Sequence, residues 1–149
     1  SEEGAGTKVS ILLPLSTKEA DRDVEIVHKA PEQLNAQVLL VEDNDQVRAF
    51  THEILKDLGC TVLLAKDATE AMALLEDTSV EVVITDVVMP GMNGIELADT
   101  IKKRWRDLPV ILATGYSDEL IEKRPEYPSI TKPFTSVHLQ EALASALHL

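Results

Sequence analysis

From residue 36 onward, short apolar runs alternate with longer segments in which apolar residues recur at helical spacing. The apolar runs, each predicted to be a β-strand, lie at 38–41, 61–65, 80–85, 110–113 and 129–131. Strands that are apolar along their whole length are typical of a parallel sheet, because helices cover both of its faces. The alternation therefore predicts the α/β class, with a five-stranded parallel sheet between two layers of helices.

The predicted helices have recognisable ends. In the first, apolar residues at 47, 50, 54, 55 and 58 share one face, and Gly59 is the predicted stop. Asp67 and Glu70 resemble a capping box that opens a second helix, predicted to run through Leu75. The third and last helices are predicted to begin at polar caps, namely Asn93 and either Thr135 or Ser136. The pattern is (βα)5, and right-handed crossovers make it a doubly wound three-layer sandwich.

The first 35 residues have a different texture. The stretch GAGTKVSILLPL contains a short apolar run next to Pro14 and predicts a lone strand within 1–15. Residues 16–35 are charged, lack a sustained period and carry Pro31, so they are predicted to be a linker. The expected organisation is therefore a strand at 1–15, a linker at 16–35 and one domain at 36–149.

Composition narrows the classes of function. The chain has 149 residues, is 44% hydrophobic and lacks an apolar run of the roughly 20 residues that cross a membrane, so we expect no membrane contact. Cys60 is its single cysteine and cannot form an internal disulfide, which favours a cytoplasmic setting. The net charge of −12 argues against direct contact with nucleic acid and favours metal ions or cationic partners.

Polar side chains follow the predicted strands where each strand ends. Glu42 and Asp43 follow the first strand, Asp86 the third, Thr114 the fourth and Lys132 the fifth. Carboxyl ends of parallel strands meet at one edge of the sheet, and that edge is where open α/β sheets bind their ligands. The sequence therefore predicts that three acids, a hydroxyl and an amine converge there.

Three neighbouring carboxylates need a counter-charge. Two unit charges 4 Å apart repel by about 4 kcal/mol at an effective dielectric constant near 20. Oxygen ligands with room for water suit Mg²⁺, and Lys132 would help to neutralise an incoming phosphoryl group. Asp86 is then a candidate nucleophile that forms an aspartyl phosphate.

Four motifs resemble the receiver domain of two-component response regulators: LLVEDN, ITDVVMPGMNG, ILATG and ITKPF, in that order. The resemblance covers about 36–149 and implies a flavodoxin-like sheet of order 2-1-3-4-5. It also implies that Asp86 is the phosphoacceptor and that Lys132 pairs with the phosphoryl oxygens across a cis Lys132–Pro133 peptide bond. Thr114 is the implied switch hydroxyl. The implied Mg²⁺ ligands are Glu42, Asp43, Asp86 and the backbone carbonyl of Val88.

Two features depart from the family pattern. Ser129 stands three residues before Lys132, where receivers often carry an aromatic residue. The segment 114–132 is short for a full helix and contains Pro125 and Pro128.

The N-terminal GAGTKVSILLPL resembles the last strand of the ATP-binding domain of sensor histidine kinases. This resemblance implies that the chain is the C-terminal part of a hybrid histidine kinase. Its phosphorylation partner is then the kinase core, a histidine phosphotransfer protein, or both. It does not fix an oligomeric state.

Three alternatives remain open at this stage. The first is a stand-alone response regulator, and the second is a pseudo-receiver that only docks to partners. The third is an enzyme with an aspartyl-phosphate intermediate, such as a phosphatase, although Val88 stands where those enzymes usually carry a second aspartate.

Overall fold

The computed structural model describes residues 33–115 and 126–148, which form five strands and four helices. The strands are β1 (Gln37–Val41), β2 (Thr61–Ala65), β3 (Val82–Asp86), β4 (Val110–Thr114) and β5 (Ser129–Thr131). The helices are α1 (Asp45–Asp57), α2 (Ala68–Asp77), α3 (Gly94–Arg104) and α4 (Ser136–Leu147). The predicted strand at 1–15 and most of the predicted linker lie outside the described residues, as do residues 116–125.

All five strands pair in parallel, in the order β2-β1-β3-β4-β5. The predicted doubly wound, flavodoxin-like α/β fold is therefore confirmed. Successive side chains of a strand point to opposite faces, so β1 divides between two cores. Leu39 and Val41 pack on the α2 and α3 side, whereas Val38 and Leu40 pack on the side of α1 and α4.

The helix starts follow the local sequence closely. Asn93 caps α3 in a complete capping box with Glu96, and Thr135 caps α4. The capping box predicted at the start of α2 is only half formed. Asp67 accepts from the Glu70 N–H at 2.9 Å, but the Glu70 carboxylate accepts from the N–H of Lys66 instead. The helix also continues to Asp77, two residues beyond the predicted end.

Strand β3 begins at Val82, whereas the apolar pattern predicted a start at Val80. Glu81 explains the difference because its hydrogen bonds go to the start of β1. Its N–H donates to the Gln37 carbonyl at 2.8 Å, and its carboxylate accepts from the Gln37 N–H at 2.8 Å. Strands β2 and β5 have the predicted bounds.

Candidate functional site

Three carboxylates meet at the edge of the sheet where the strands end. Glu42 and Asp43 follow β1 directly, and Asp86 is the last residue of β3. One carboxylate oxygen from each of the three lies within 4.8 Å of the others. Glu42 is buried, Asp86 is half-buried and Asp43 is exposed, so the cluster opens to solvent on one side. We call these three residues the acidic pocket.

Lys132 lies against the acidic pocket from the loop after β5. Its Nζ is 2.6 Å from Oε2 of Glu42 and 2.9 Å from Oδ2 of Asp86. Its backbone N–H donates to the carbonyl of Thr114 at 2.7 Å, which holds the loop to the end of β4. Burial alone lowers the pKa of Lys132, but hydrogen bonds and charge from the two carboxylates outweigh it and raise the pKa above 10.5. The amine is therefore a permanent cation in the site.

Glu42 has the opposite balance. Burial raises the pKa of this carboxyl above its ordinary 4.5, and the negative charge of Asp86 adds to that effect. The hydrogen bond and the charge of Lys132 act against the shift but do not cancel it. Keeping Glu42 ionised therefore costs free energy in the folded protein, which is typical of a group retained for function rather than for stability.

The Asp86 carboxylate is oriented at both oxygens. Oδ2 faces Lys132, and Oδ1 accepts from the backbone N–H of Val88 at 3.3 Å. The backbone of Asp86 is also held, since the Thr85 hydroxyl donates to its carbonyl at 3.1 Å. Gly94 brings the first turn of α3 against this strand end, and a Cβ at Gly94 would lie 2.0 Å from the Asp86 carbonyl oxygen. Only glycine permits this close approach without a shift of α3.

Thr114 and Val88, the other predicted site residues, lie at the same edge. Thr114 ends β4, where it is buried, and the preceding Ala113 is the register partner of Asp86. Val88 follows Asp86 by two residues and is 66% exposed. All five side chains predicted to converge are thus found at this edge of the sheet. The roles in phosphorylation and metal binding remain predictions.

The acids of the pocket do not cap the helix that follows them. Asn44 is the N-cap of α1, and its side chain accepts from the N–H groups of Gln46 and Val47 at 3.0 and 3.1 Å. Glu42 and Asp43 therefore do not act as the cap of α1. Sequence reasoning missed Arg48, whose guanidinium donates to the backbone carbonyl of Glu42 at 2.7 Å. A basic residue in the first turn of a helix, where acids are favoured, was the signal available.

An aromatic residue, Tyr127, does lie near β5, but it does not occupy the position three residues before Lys132 that the family pattern implies. Ser129 is exposed, whereas Tyr127, two residues earlier, is buried on the α3 side of the sheet. The Tyr127 hydroxyl donates to Oδ1 of Asp99 at 2.8 Å, and Lys102 lies 5.2 Å from the centre of its ring. Tyr127 is thereby fixed to α3, on the side of the sheet away from α1.

An apolar groove of about 560 Å³ adjoins the acidic pocket on the α1 side. Phe50 on its wall is 61% exposed, although it is a large apolar side chain. Lys132 lines both this groove and the acidic pocket, and the groove carries no acid among the described residues that line it. Its lining, called the α1 groove below, is Gln46, Val47, Phe50, Thr51, Gly115, Lys132, Pro133 and Phe134. The peptide bond between Lys132 and Pro133 is cis, as predicted.

The chain is similar to known proteins. The family model described as the response regulator receiver domain matches residues 38–144. The sensor kinase CckA of Brucella abortus is 32% identical over 99% of this chain, which spans only 17% of that kinase. The chemotaxis protein CheY of Pseudomonas aeruginosa is 33% identical, over 71% of this chain and 91% of CheY.

A solved structure is also similar to this chain. The crystal structure of a response regulator receiver domain protein from Clostridium thermocellum superposes with a TM-score of 0.70 at 28% identity. The match covers 76% of this chain and 94% of that one. In the described part of the chain, no helix has the length and apolar character needed to span a bilayer. With its sheet order, its acidic pocket and a family match over most of its length, the chain belongs to the response regulator receiver domain family of two-component signalling.

Proposed function

We propose that this domain is a Mg²⁺-dependent phosphoacceptor, which takes a phosphoryl group from a phosphohistidine onto Asp86. One observation carries the proposal: Lys132 joins Glu42 and Asp86 at 2.6 and 2.9 Å, beside a solvent-open cluster of three carboxylates. Keeping the buried Glu42 and the half-buried Asp86 ionised costs stability, so the cluster calls for a function that uses the charge.

The donor set fits magnesium. Three carboxylates with oxygens within 4.8 Å of one another match an ion that takes one or two carboxylates, keeps several waters and accepts a phosphate. Glu42, Asp43 and Asp86 would hold it, together with the Val88 carbonyl that the family pattern implies. When bound, Mg²⁺ supplies positive charge that offsets the charge of the phosphoryl oxygens.

Asp86 is the nucleophile in this proposal. A carboxylate oxygen forms a bond to phosphorus while the bond from phosphorus to the imidazole nitrogen of the donor breaks. The electron pair of that bond stays on the imidazole, which leaves as neutral histidine once it holds one proton. The Val88 N–H holds one oxygen of this carboxylate and Lys132 holds the other.

Lys132 and Thr114 act on the transferred group. The Lys132 amine already touches Asp86 and stays protonated, so it can pair with a phosphoryl oxygen as that oxygen arrives. Thr114 ends the neighbouring strand and would donate its hydroxyl to another phosphoryl oxygen. The Lys132 N–H donates to the Thr114 carbonyl, so the two residues are also joined through the backbone.

The α1 groove is suited to the phosphohistidine donor. It is apolar, it reaches the pocket through Lys132, and its described lining lacks acids although the chain carries a net charge of −12. An incoming phosphohistidine is negatively charged and would be repelled by most other surfaces of this protein. An apolar helix face that carries such a histidine can bury Phe50 and present its phosphate to Asp86.

We further propose that the chain is the C-terminal part of a hybrid histidine kinase, with a kinase-domain strand at 1–15, a linker at 16–35 and the receiver at 36–149. The CckA similarity supports this layout because it extends over 99% of the chain, whereas the match to CheY covers 71%. The partners would be the kinase core or a histidine phosphotransfer protein in the cytoplasm, a setting compatible with the free thiol of Cys60.

The direct test is phosphorylation by acetyl phosphate with Mg²⁺, followed on a phosphate-affinity gel. The parent protein is expected to shift, and Asp86→Asn to stay unshifted because its amide cannot accept the group. Asp107→Asn, an exposed acid beyond the far end of α3, is the matched control and should shift like the parent. An Asp86→Asn protein that shifts like the parent would defeat the assignment, and failure of the parent to bind Mg²⁺ would favour a docking pseudo-receiver.

A further inference from the structure

Arg48 lies in the first turn of α1, but its side chain reaches back to the loop that carries the acidic pocket. Its Nη1 donates to the Glu42 backbone carbonyl at 2.7 Å, and its Nη2 forms an ion pair with Oδ1 of Asp45. The Arg48 side chain is 18% exposed, so the contact with the carbonyl is partly shielded from water. A planar guanidinium can make two such contacts at once in a fixed geometry.

The contacted carbonyl belongs to the peptide group that links Glu42 to Asp43. Because a peptide group is planar, fixing this carbonyl fixes the orientation of the bond between the two acidic residues. On its other side, the Glu42 N–H donates to the Ala65 carbonyl of β2 at 3.1 Å. Glu42 is thus tied to the sheet through its N–H and to α1 through its carbonyl. Those two ties set the directions in which the Glu42 and Asp43 side chains leave the backbone.

We infer that Arg48 is a positioning residue for the acidic pocket, which holds Glu42 and Asp43 where both can serve one Mg²⁺ ion. The inference rests on the proposed function. Without the hydrogen bond from the Arg48 guanidinium, the peptide group between Glu42 and Asp43 can rotate, and the two carboxylates can then move apart. Groups that orient metal ligands from behind commonly contribute about 10-fold or more to metal affinity.

Charge and position make opposite predictions for this residue. Arg48 is a cation bound to the backbone of the loop that carries the acidic pocket, so its charge alone repels Mg²⁺, and removing that charge should strengthen binding. Its hydrogen bond to the Glu42 carbonyl orients the ligands of Mg²⁺, so removing that hydrogen bond should weaken Mg²⁺ binding. Arg48→Met removes both the charge and the hydrogen bond, whereas Arg48→Lys keeps the charge but replaces the planar guanidinium by a single ammonium group.

The experiment is a calorimetric Mg²⁺ titration of the parent, Arg48→Met, Arg48→Lys and Lys56→Met. Both Arg48 variants are expected to bind Mg²⁺ about 10-fold more weakly than the parent. Lys56, an exposed cation in the last turn of the same helix, is the control, and its variant should bind within about 2-fold of the parent. Without Mg²⁺, backbone amide exchange at Asp43 and Asn44 is expected to be faster in both Arg48 variants.

The results separate the possible failures. Tighter binding by Arg48→Met, or parent-like affinity of Arg48→Lys, overturns the inference while the proposed function stands. A purely structural role lowers the unfolding temperature but leaves the affinity of the folded protein unchanged, which also overturns it. If Arg48→Met does not fold, Arg48→Lys decides alone. Absence of Mg²⁺ binding by the parent defeats the proposed function, and the inference with it.

Discussion

Charged side chains differ in burial and in pairing between the two edges of the sheet. At the carboxyl edge, where β1 and β3 end, Glu42 and Asp86 are largely buried and share the single amine of Lys132. At the amino edge, where the same strands begin, an ion pair lies in contact with water. Arg104 pairs with Glu76 at 2.8 Å, and both side chains are about half exposed.

The difference separates charges that cost little to keep from charges that cost stability. Exposed pairs such as Arg104 with Glu76 contribute about 0 to 1 kcal/mol and cost little to keep. Buried carboxylates that outnumber the amine beside them are expensive, because each must lose its hydration. A fold that retains them at the edge where α/β sheets bind ligands is retaining a site.

The largest expected effect comes from removing the shared amine. Lys132→Ala should slow phosphorylation by acetyl phosphate about 100-fold, since the phosphoryl oxygens lose a preorganised cation. Lys102→Ala, which removes an exposed amine from the far half of α3, should leave the rate within about 2-fold of the parent. Phosphorylation time courses measure both variants, and equal slowing by the two substitutions would break the contrast between the edges.

The close approach of α3 to Asp86 predicts the next effect. Gly94→Ala should destabilise the protein by about 2 kcal/mol, because the new Cβ would lie 2.0 Å from the Asp86 carbonyl oxygen and α3 must shift. Gly115→Ala is the control, since no atom of the described residues lies within 4 Å of a Cβ built there. Urea unfolding measures both variants. A Gly94→Ala protein as stable as Gly115→Ala would mean that this contact does not hold Asp86 in place.

The raised pKa of Glu42 predicts a smaller effect that depends on pH. The folded carboxyl holds its proton more tightly than the unfolded one, so stability contributed by Glu42 falls as pH rises from about 4.5 through the raised pKa. Glu42→Gln should therefore be more stable than the parent by about 1 kcal/mol at neutral pH, although it binds Mg²⁺ more weakly. Urea unfolding at several pH values should show this difference shrink as pH falls through the raised pKa toward 4.5. A difference that grows on acidification would mean that folding lowers the pKa of Glu42 instead of raising it.

The smallest effect is expected at the amino edge. Arg104→Ala should change the free energy of unfolding by less than about 1 kcal/mol, because its ion pair with Glu76 is exposed to solvent. The loss should diminish further in high salt, which screens exposed pairs. Urea unfolding at low and high salt measures it. A large, salt-insensitive loss would show that the amino edge also depends on charge.

Much of the fold could be predicted because its signals are local. The bounds of β2 and β5 and the caps Asn93 and Thr135 follow from apolar runs and from polar residues placed before helices. The convergence at the carboxyl edge follows from parallel topology, since strands that all point one way must end together.

Contacts between residues distant in the chain were not predictable in this way. The bonds of Glu81 to the start of β1 moved the start of β3, and the contact of Tyr127 with Asp99 of α3 joins residues 28 positions apart. Arg48 was missed for another reason. Its contact is close in sequence, but a basic residue in the first turn of α1 does not show that its partner is a backbone carbonyl.

The most direct test of the account is to locate the phosphoryl group chemically. After incubation with acetyl phosphate and Mg²⁺, borohydride reduction converts an aspartyl phosphate to homoserine, which peptide mass analysis can place. We predict homoserine at position 86 in the protein treated with acetyl phosphate and Mg²⁺, and no homoserine when the metal is chelated. Homoserine at Asp43 or another acid, or equal labelling without Mg²⁺, would contradict it.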